Sequence, residues 1–170
     1  MNKYLKIVWR VVSVLLVAFV MWQIFSFSHQ KASVSLEQSG GVTESIMGAV
    51  SDTFDELPQK DKETVIDQLQ QLIRKSAHLI IYFALGFLCF NMFYSFKIRM
   101  IKSGWLALAL SVAYAISDEI HQHFIPGRAC ALSDMVLDSA AALSGIIVFA
   151  AVVLFIMAVI RKIKEKRTAA

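Results

Sequence analysis

SAAALSGIIVFAAVVLFIMAVI, residues 139–160, carries no charge and closes on Arg161, Lys162, Lys164, Lys166 and Arg167. A helix crossing a bilayer core about 30 Å thick needs roughly 20 mostly apolar residues. This stretch meets that demand and therefore sets the frame for the rest of the chain. Three earlier segments repeat it. Val11 to Phe27 is uncharged and follows Lys3, Lys6 and Arg10; Leu79 to Phe96 is uncharged; Gly104 to Ser117 is shorter and runs into Asp118 and Glu119. Because its end carries acids, the third segment must lean on its neighbours.

Composition agrees. Of 170 residues, 57% are hydrophobic and 18% charged, against about a quarter charged in a soluble domain. The chain reads as a single all-α unit over 1–170, a four-helix transmembrane bundle with spans at about 7–27, 78–96, 103–121 and 135–160. A cleaved signal peptide is the alternative for the first span. That apolar run is long for one, and no small-x-small site follows. The net charge of +4 comes from basic residues beside apolar runs, so topology explains it and nucleic acid is not an expected partner. Cys89 and Cys130 fall at different depths, so no disulfide is expected, and no Cys/His spacing marks a structural zinc.

Orientation follows from the short basic flanks. With four spans, the flank before the first, Lys97, Arg99 and Lys102 after the second, and the tail after the fourth share one side. The positive-inside rule makes it cytoplasmic, with both termini inside a bacterial cytoplasmic membrane. The loop 28–77 is then extracytoplasmic. Ser33 to Gly48 reads as irregular. From Asp61 onward, Val65, Ile66, Leu69, Leu72 and Ile73 recur at helical spacing, which predicts an amphipathic interfacial helix leading into the second span.

At the outer boundary lies a dense polar run: Ser117 to Arg128, then Ser133-Asp134 and Asp138. Ionisable groups at the edge of hydrocarbon are costly and mark functional sites by default. At 100° per residue, Ser111, Tyr114, Asp118, His121 and Gln122 share one face of the third helix, with Glu119 at its edge. On the fourth, Asp134, Asp138, Ala141, Ala142 and Gly145 form a stripe whose small residues permit close approach; it should pack on helix three. Lys75, His78 and Tyr82 share a side of helix two. All three groups sit at outer helix ends, so one pocket can gather them. Pro126-Gly127 makes the turn beside Arg128, whose planar fork suits phosphate or carboxylate, or else pairs with Asp134 or Glu119.

These residues resemble the VanZ-like family of membrane proteins, associated with resistance to the glycopeptide teicoplanin. Three motifs carry the resemblance. Lys75 and His78 precede Tyr82 and Leu85-Gly86. Asp118-Glu119-x-x-Gln122-x-Phe124-x-Pro126-Gly127-Arg128 is complete. Ser133-Asp134 is followed by Asp138 and Gly145. The segment from Phe25 to Gln30 also looks like the family's serine-rich turn. Asp138 stands where the family usually has Asn, and Ala141 where it has Gly. The resemblance implies a membrane protein of the cell envelope, with a lipid, an envelope lipid precursor or a glycopeptide as partner; it implies no settled reaction.

The residues themselves support several chemistries. An enzyme acting on a phosphate-bearing envelope lipid would use His78, Glu119, Asp118 and Asp134 as acids and bases, with Glu119 or His78 as base. Lys75, Arg128, Gln122, Tyr82 and Asp138 would bind substrate, Arg128 as the anion clamp. Asp118, Glu119, Asp134 and His78 are also candidate ligands for a divalent cation. A non-catalytic binder of antibiotic, lipid head or envelope partner would use the same groups. A transporter fits less well, since the chain has no internal repeat. In the plainest reading the acids and bases only neutralise one another.

Overall fold

A computed structural model describes residues 2–29, 58–126 and 131–168. Among them are four helices and no strand: α1 (Lys3–His29), α2 (Gln59–Ser95), α3 (Met100–His123) and α4 (Leu132–Thr168). Each is long and apolar enough to cross a membrane. Large apolar side chains such as Leu15, Trp22, Trp105 and Phe155 stand exposed. That surface would be untenable in water over such an area and suits lipid contact.

The predicted interfacial helix is not a separate element. It is the first part of α2, which runs unbroken for 37 residues, roughly 55 Å at 1.5 Å per residue. No Gly or Pro interrupts the sequence between Lys60 and Leu85, so nothing breaks the hydrogen-bond ladder where the amphipathic pattern gives way to the apolar one. α4 likewise continues past 160 through the basic tail, where Arg161 Nε donates to Glu165 Oε1 at 2.8 Å.

α2 is the central helix and packs against the other three. Its buried stripe, Tyr82, Leu85, Gly86, Cys89 and Phe90, follows the spacing of one helical face. α3 buries Ser103, Ala107, Ser111 and Ala115, small residues one turn apart that let neighbours come close. α1 is a full member of the bundle: the Tyr114 hydroxyl donates to the Met21 carbonyl, and Asn91 Nδ2 of α2 donates to Ser13 Oγ at 3.1 Å.

One expectation needs correction. The small-residue stripe of α4 packs chiefly on α2, not α3. A Cβ placed on Gly86 would collide with the Ala142 carbonyl, and one on Gly145 with the Phe83 carbonyl. Gly86 of α2 lets the two backbones meet, whereas Gly104 of α3 meets α4 through the Ile146 side chain.

Candidate functional site

The site is built toward one end of the bundle from α2, the end of α3 and the start of α4. A cavity of about 310 Å³ opens there, lined by Gln71, Arg74, Lys75, His78 and Leu79 of α2, Glu119 and Gln122 of α3, and Ala131, Asp134, Leu137 and Asp138 at the start of α4. Three spans thus bring sequence-distant charged groups to one hollow. Of the residues singled out in the sequence, Lys75, His78, Glu119, Gln122, Asp134 and Asp138 line it. Asp118 and Tyr82 do not. Arg128 lies outside the described residues, as does Cys130.

At the rim, Lys75 Nζ donates to Asp134 Oδ1 at 2.8 Å. The pair is open to solvent, with side-chain exposures of 48% and 29%. Such a pair contributes about 0–1 kcal/mol, so either partner can be exchanged for a ligand group at small cost. Ser133 Oγ also donates to Asp134.

Deeper in, the groups are buried. Glu119 and Asp138 are 2% and 4% exposed. Glu119 Oε2 accepts the Ala131 backbone N–H at 3.0 Å, at the entrance to α4, where the helix dipole and free amides favour an anion. His78 Nδ1 stands 4.0 Å from Asp138 Oδ2, beyond hydrogen-bonding distance but close enough for their charges to matter. Asp118, Glu119, Asp134 and Lys75 all act electrostatically on Asp138.

Behind the cavity wall, Asp118 does structural service. Its Oδ2 accepts from Ser28 Oγ at 2.9 Å and from Gln122 Nε2 at 3.0 Å. The Ser28 bond joins α1 to α3, the Gln122 bond lies within α3, and together they satisfy a carboxyl group that is 4% exposed. The Tyr82 hydroxyl is fully buried and meets no partner at hydrogen-bonding geometry, with Asp118 and Asp138 in electrostatic range. Tyr82 therefore packs beneath the hollow and does not face a ligand within it.

The candidate cation ligands do not form a ready cage. Among the described residues, no group of three His, Cys, Asp or Glu side chains is arranged to hold a metal ion. The reason is visible in their partners: Asp118 is turned to Ser28 and Gln122, Asp134 to Lys75, and Glu119 to the Ala131 amide.

Three participants carry no assigned role in the sequence reading. Ser28 is buried and holds Asp118. Its burial was readable, because Ser13, Val17, Ile24 and Ser28 lie in one phase and a polar residue in register with a buried stripe points inward. Gln71 and Arg74 line the cavity. They precede His78 by seven and four residues, the same face of a continuous helix. His121, grouped with the polar face, instead lies at its edge, where Nε2 is 3.3 Å from His29 Nδ1 and the ring stacks on Phe25.

Comparison with known proteins adds one match. The sequence model of the family described as VanZ/LLP1 covers residues 13–157, which includes every cavity-lining side chain. No curated protein and no solved structure matches the chain.

Proposed function

The chain belongs to the VanZ/LLP1 family, and on that premise we propose that it binds the polar head of a phosphate-bearing envelope lipid or lipid-linked precursor. Occupancy of this kind would be its link to glycopeptide (teicoplanin) action at the cell envelope. The observation carrying this reading is the cavity itself. Arg74 and Lys75 stand at an opening whose interior holds His78, Glu119 and Asp138. Phosphate oxygens suit the two cations, with Arg128 added from the sequence as a bidentate clamp. Hydroxyl and amine groups of the head suit the carboxylates behind them. The weak Lys75–Asp134 pair is what an incoming phosphate displaces.

The experiment is direct binding of a polyprenyl phosphate to the full chain in nanodiscs. Lys75→Gln and Arg128→Lys should each weaken binding about tenfold, the loss of one charge-assisted contact. Wild-type affinity in both variants sinks the reading.

A second reading, acid–base turnover of that lipid, is favoured by one feature: His78 faces the buried Asp138, and a histidine oriented by a carboxylate is half of a general-base pair. Product formation that vanishes in His78→Gln supports it; absence of product from wild type with binding intact rejects it.

The reading also needs the cavity to face outward, with both termini in the cytoplasm of a bacterial cell. With Cys89 replaced by Ser, Cys130 is expected to react with a membrane-impermeant maleimide on intact cells. Reaction only after permeabilisation reverses the orientation.

A further inference from the structure

The opposite end of the bundle carries a second hollow of about 350 Å³, lined by Lys3, Lys6, Ile7, Arg10 and Lys97. Four cations and one aliphatic side chain make up this lining, and no carboxylate. Among the described residues none of the four cations forms an ion pair.

Three further observations make this more than a basic surface. First, Lys3 and Lys6 occupy the start of α1, whose first turn holds no acid. A helix N-terminus already carries partial positive charge and prefers an acidic neighbour, so the lysines add to a field that only an outside anion relieves. Second, Arg10 is fixed in place. Its Nε donates to the Ser95 carbonyl at 3.1 Å, and its guanidinium lies 5.3 Å from the centroid of the Phe96 ring. Third, Lys97 has φ 64°, a left-handed conformation that side chains bearing a Cβ rarely adopt. Its N–H bonds the Tyr94 carbonyl at 3.0 Å, which closes the end of α2 and sets a fourth cation at the rim. Ile7 in the lining and Phe96 beneath the Arg10 guanidinium are exposed and apolar.

We propose that this hollow binds the phosphodiester head of an anionic phospholipid, its acyl chains lying against Ile7 and Phe96. Basic pockets at the membrane surface attract anionic lipid in this way. The site is separate from the cavity at the other end and does not depend on the function proposed for it. The lipid carries both the anion the cations require and the chains the apolar margin accepts. A free phosphate would satisfy only the first.

The test is native mass spectrometry of the full chain released from mixed vesicles of phosphatidylglycerol and phosphatidylcholine. Wild type should retain phosphatidylglycerol preferentially. The triple variant Lys3→Gln, Lys6→Gln, Lys97→Gln replaces two exposed lysines and the half-buried Lys6, and should lose that preference by roughly a hundredfold. Lys97→Gly removes one charge while relieving the backbone, so it should weaken retention about fivefold without lowering thermal stability. Equal retention of both lipids by wild type, or unchanged preference in the triple variant, overturns the proposal. Inorganic phosphate is added as a competitor and should not displace the lipid. Displacement at matched concentration identifies a free-anion site and refutes the lipid assignment.

Discussion

Gly145→Ala and Gly86→Ala are each expected to destabilise the bundle by about 3 kcal/mol. In both cases the added methyl group runs into a backbone carbonyl of the facing helix, Phe83 for Gly145 and Ala142 for Gly86. Side chains can rotate away from an intruding methyl; a helical carbonyl cannot, because its lone pair and position are fixed by the ladder. α2 and α4 must therefore separate, and every contact along their crossing weakens. The damage extends to function, since the cavity is walled by these two helices. Gly104→Ala is the internal control. There a Cβ would meet only the Phe90 ring at 3.4 Å and Ile146 at 3.9 Å, ordinary contact distances, and the helix gains up to about 1 kcal/mol from the better helix former. Reversible unfolding in mixed micelles measures all three. Wild-type stability in the Gly145 and Gly86 variants would show that the two backbones do not touch.

Glu119→Gln carries the largest expected functional effect. The amide retains an oxygen that can accept the Ala131 N–H, so the entrance to α4 should hold and expression should stay near wild type. What disappears is a buried carboxyl group in the cavity wall. Ligand binding, or turnover if there is any, is expected to fall at least about tenfold, since hydrogen bonds to charged groups contribute about 1.5–3 kcal/mol. Glu119→Ala removes the acceptor as well. It should cost a further 1–3 kcal/mol or so in stability, because the Ala131 amide is left without its partner. The contrast separates the two roles of this carboxylate. If Glu119→Gln binds a sugar-bearing polyprenyl phosphate, whose hydroxyl groups this side chain would meet, as wild type does, then Glu119 serves the fold alone.

How much of this was legible in the sequence differs between fold and site. The four spans were plain, because hydrocarbon imposes a length and a composition that 11–27, 79–96, 104–117 and 139–160 each display locally. The inward turn of the α3 polar face was also legible: Asp118 and Gln122 cannot face lipid, and both are buried. The motif residues Lys75, His78, Glu119, Asp134 and Asp138 could be gathered by counting turns from the ends of the apolar runs that share the polar motif. Counting turns failed where the partner of a face mattered. Nothing in the stripe from Asp138 to Gly145 names α2 over α3; the collision at Gly86 does. Nor does spacing tell a cavity-facing carboxylate from one behind the wall. Asp118 and Glu119 are adjacent in the chain, yet one holds Ser28 and the other lines the hollow.

The sequence by itself determined that this chain crosses a membrane four times and keeps its ionisable groups at the helix ends, because the energetic cost of exposing charge or backbone to lipid is settled residue by residue. Only the tertiary structure decided which carboxylates line the cavity, which serine secures α1, and which helix the glycines face. Those outcomes depend on the rotation and separation of neighbouring helices, and these are fixed by packing across the bundle, not by any one segment.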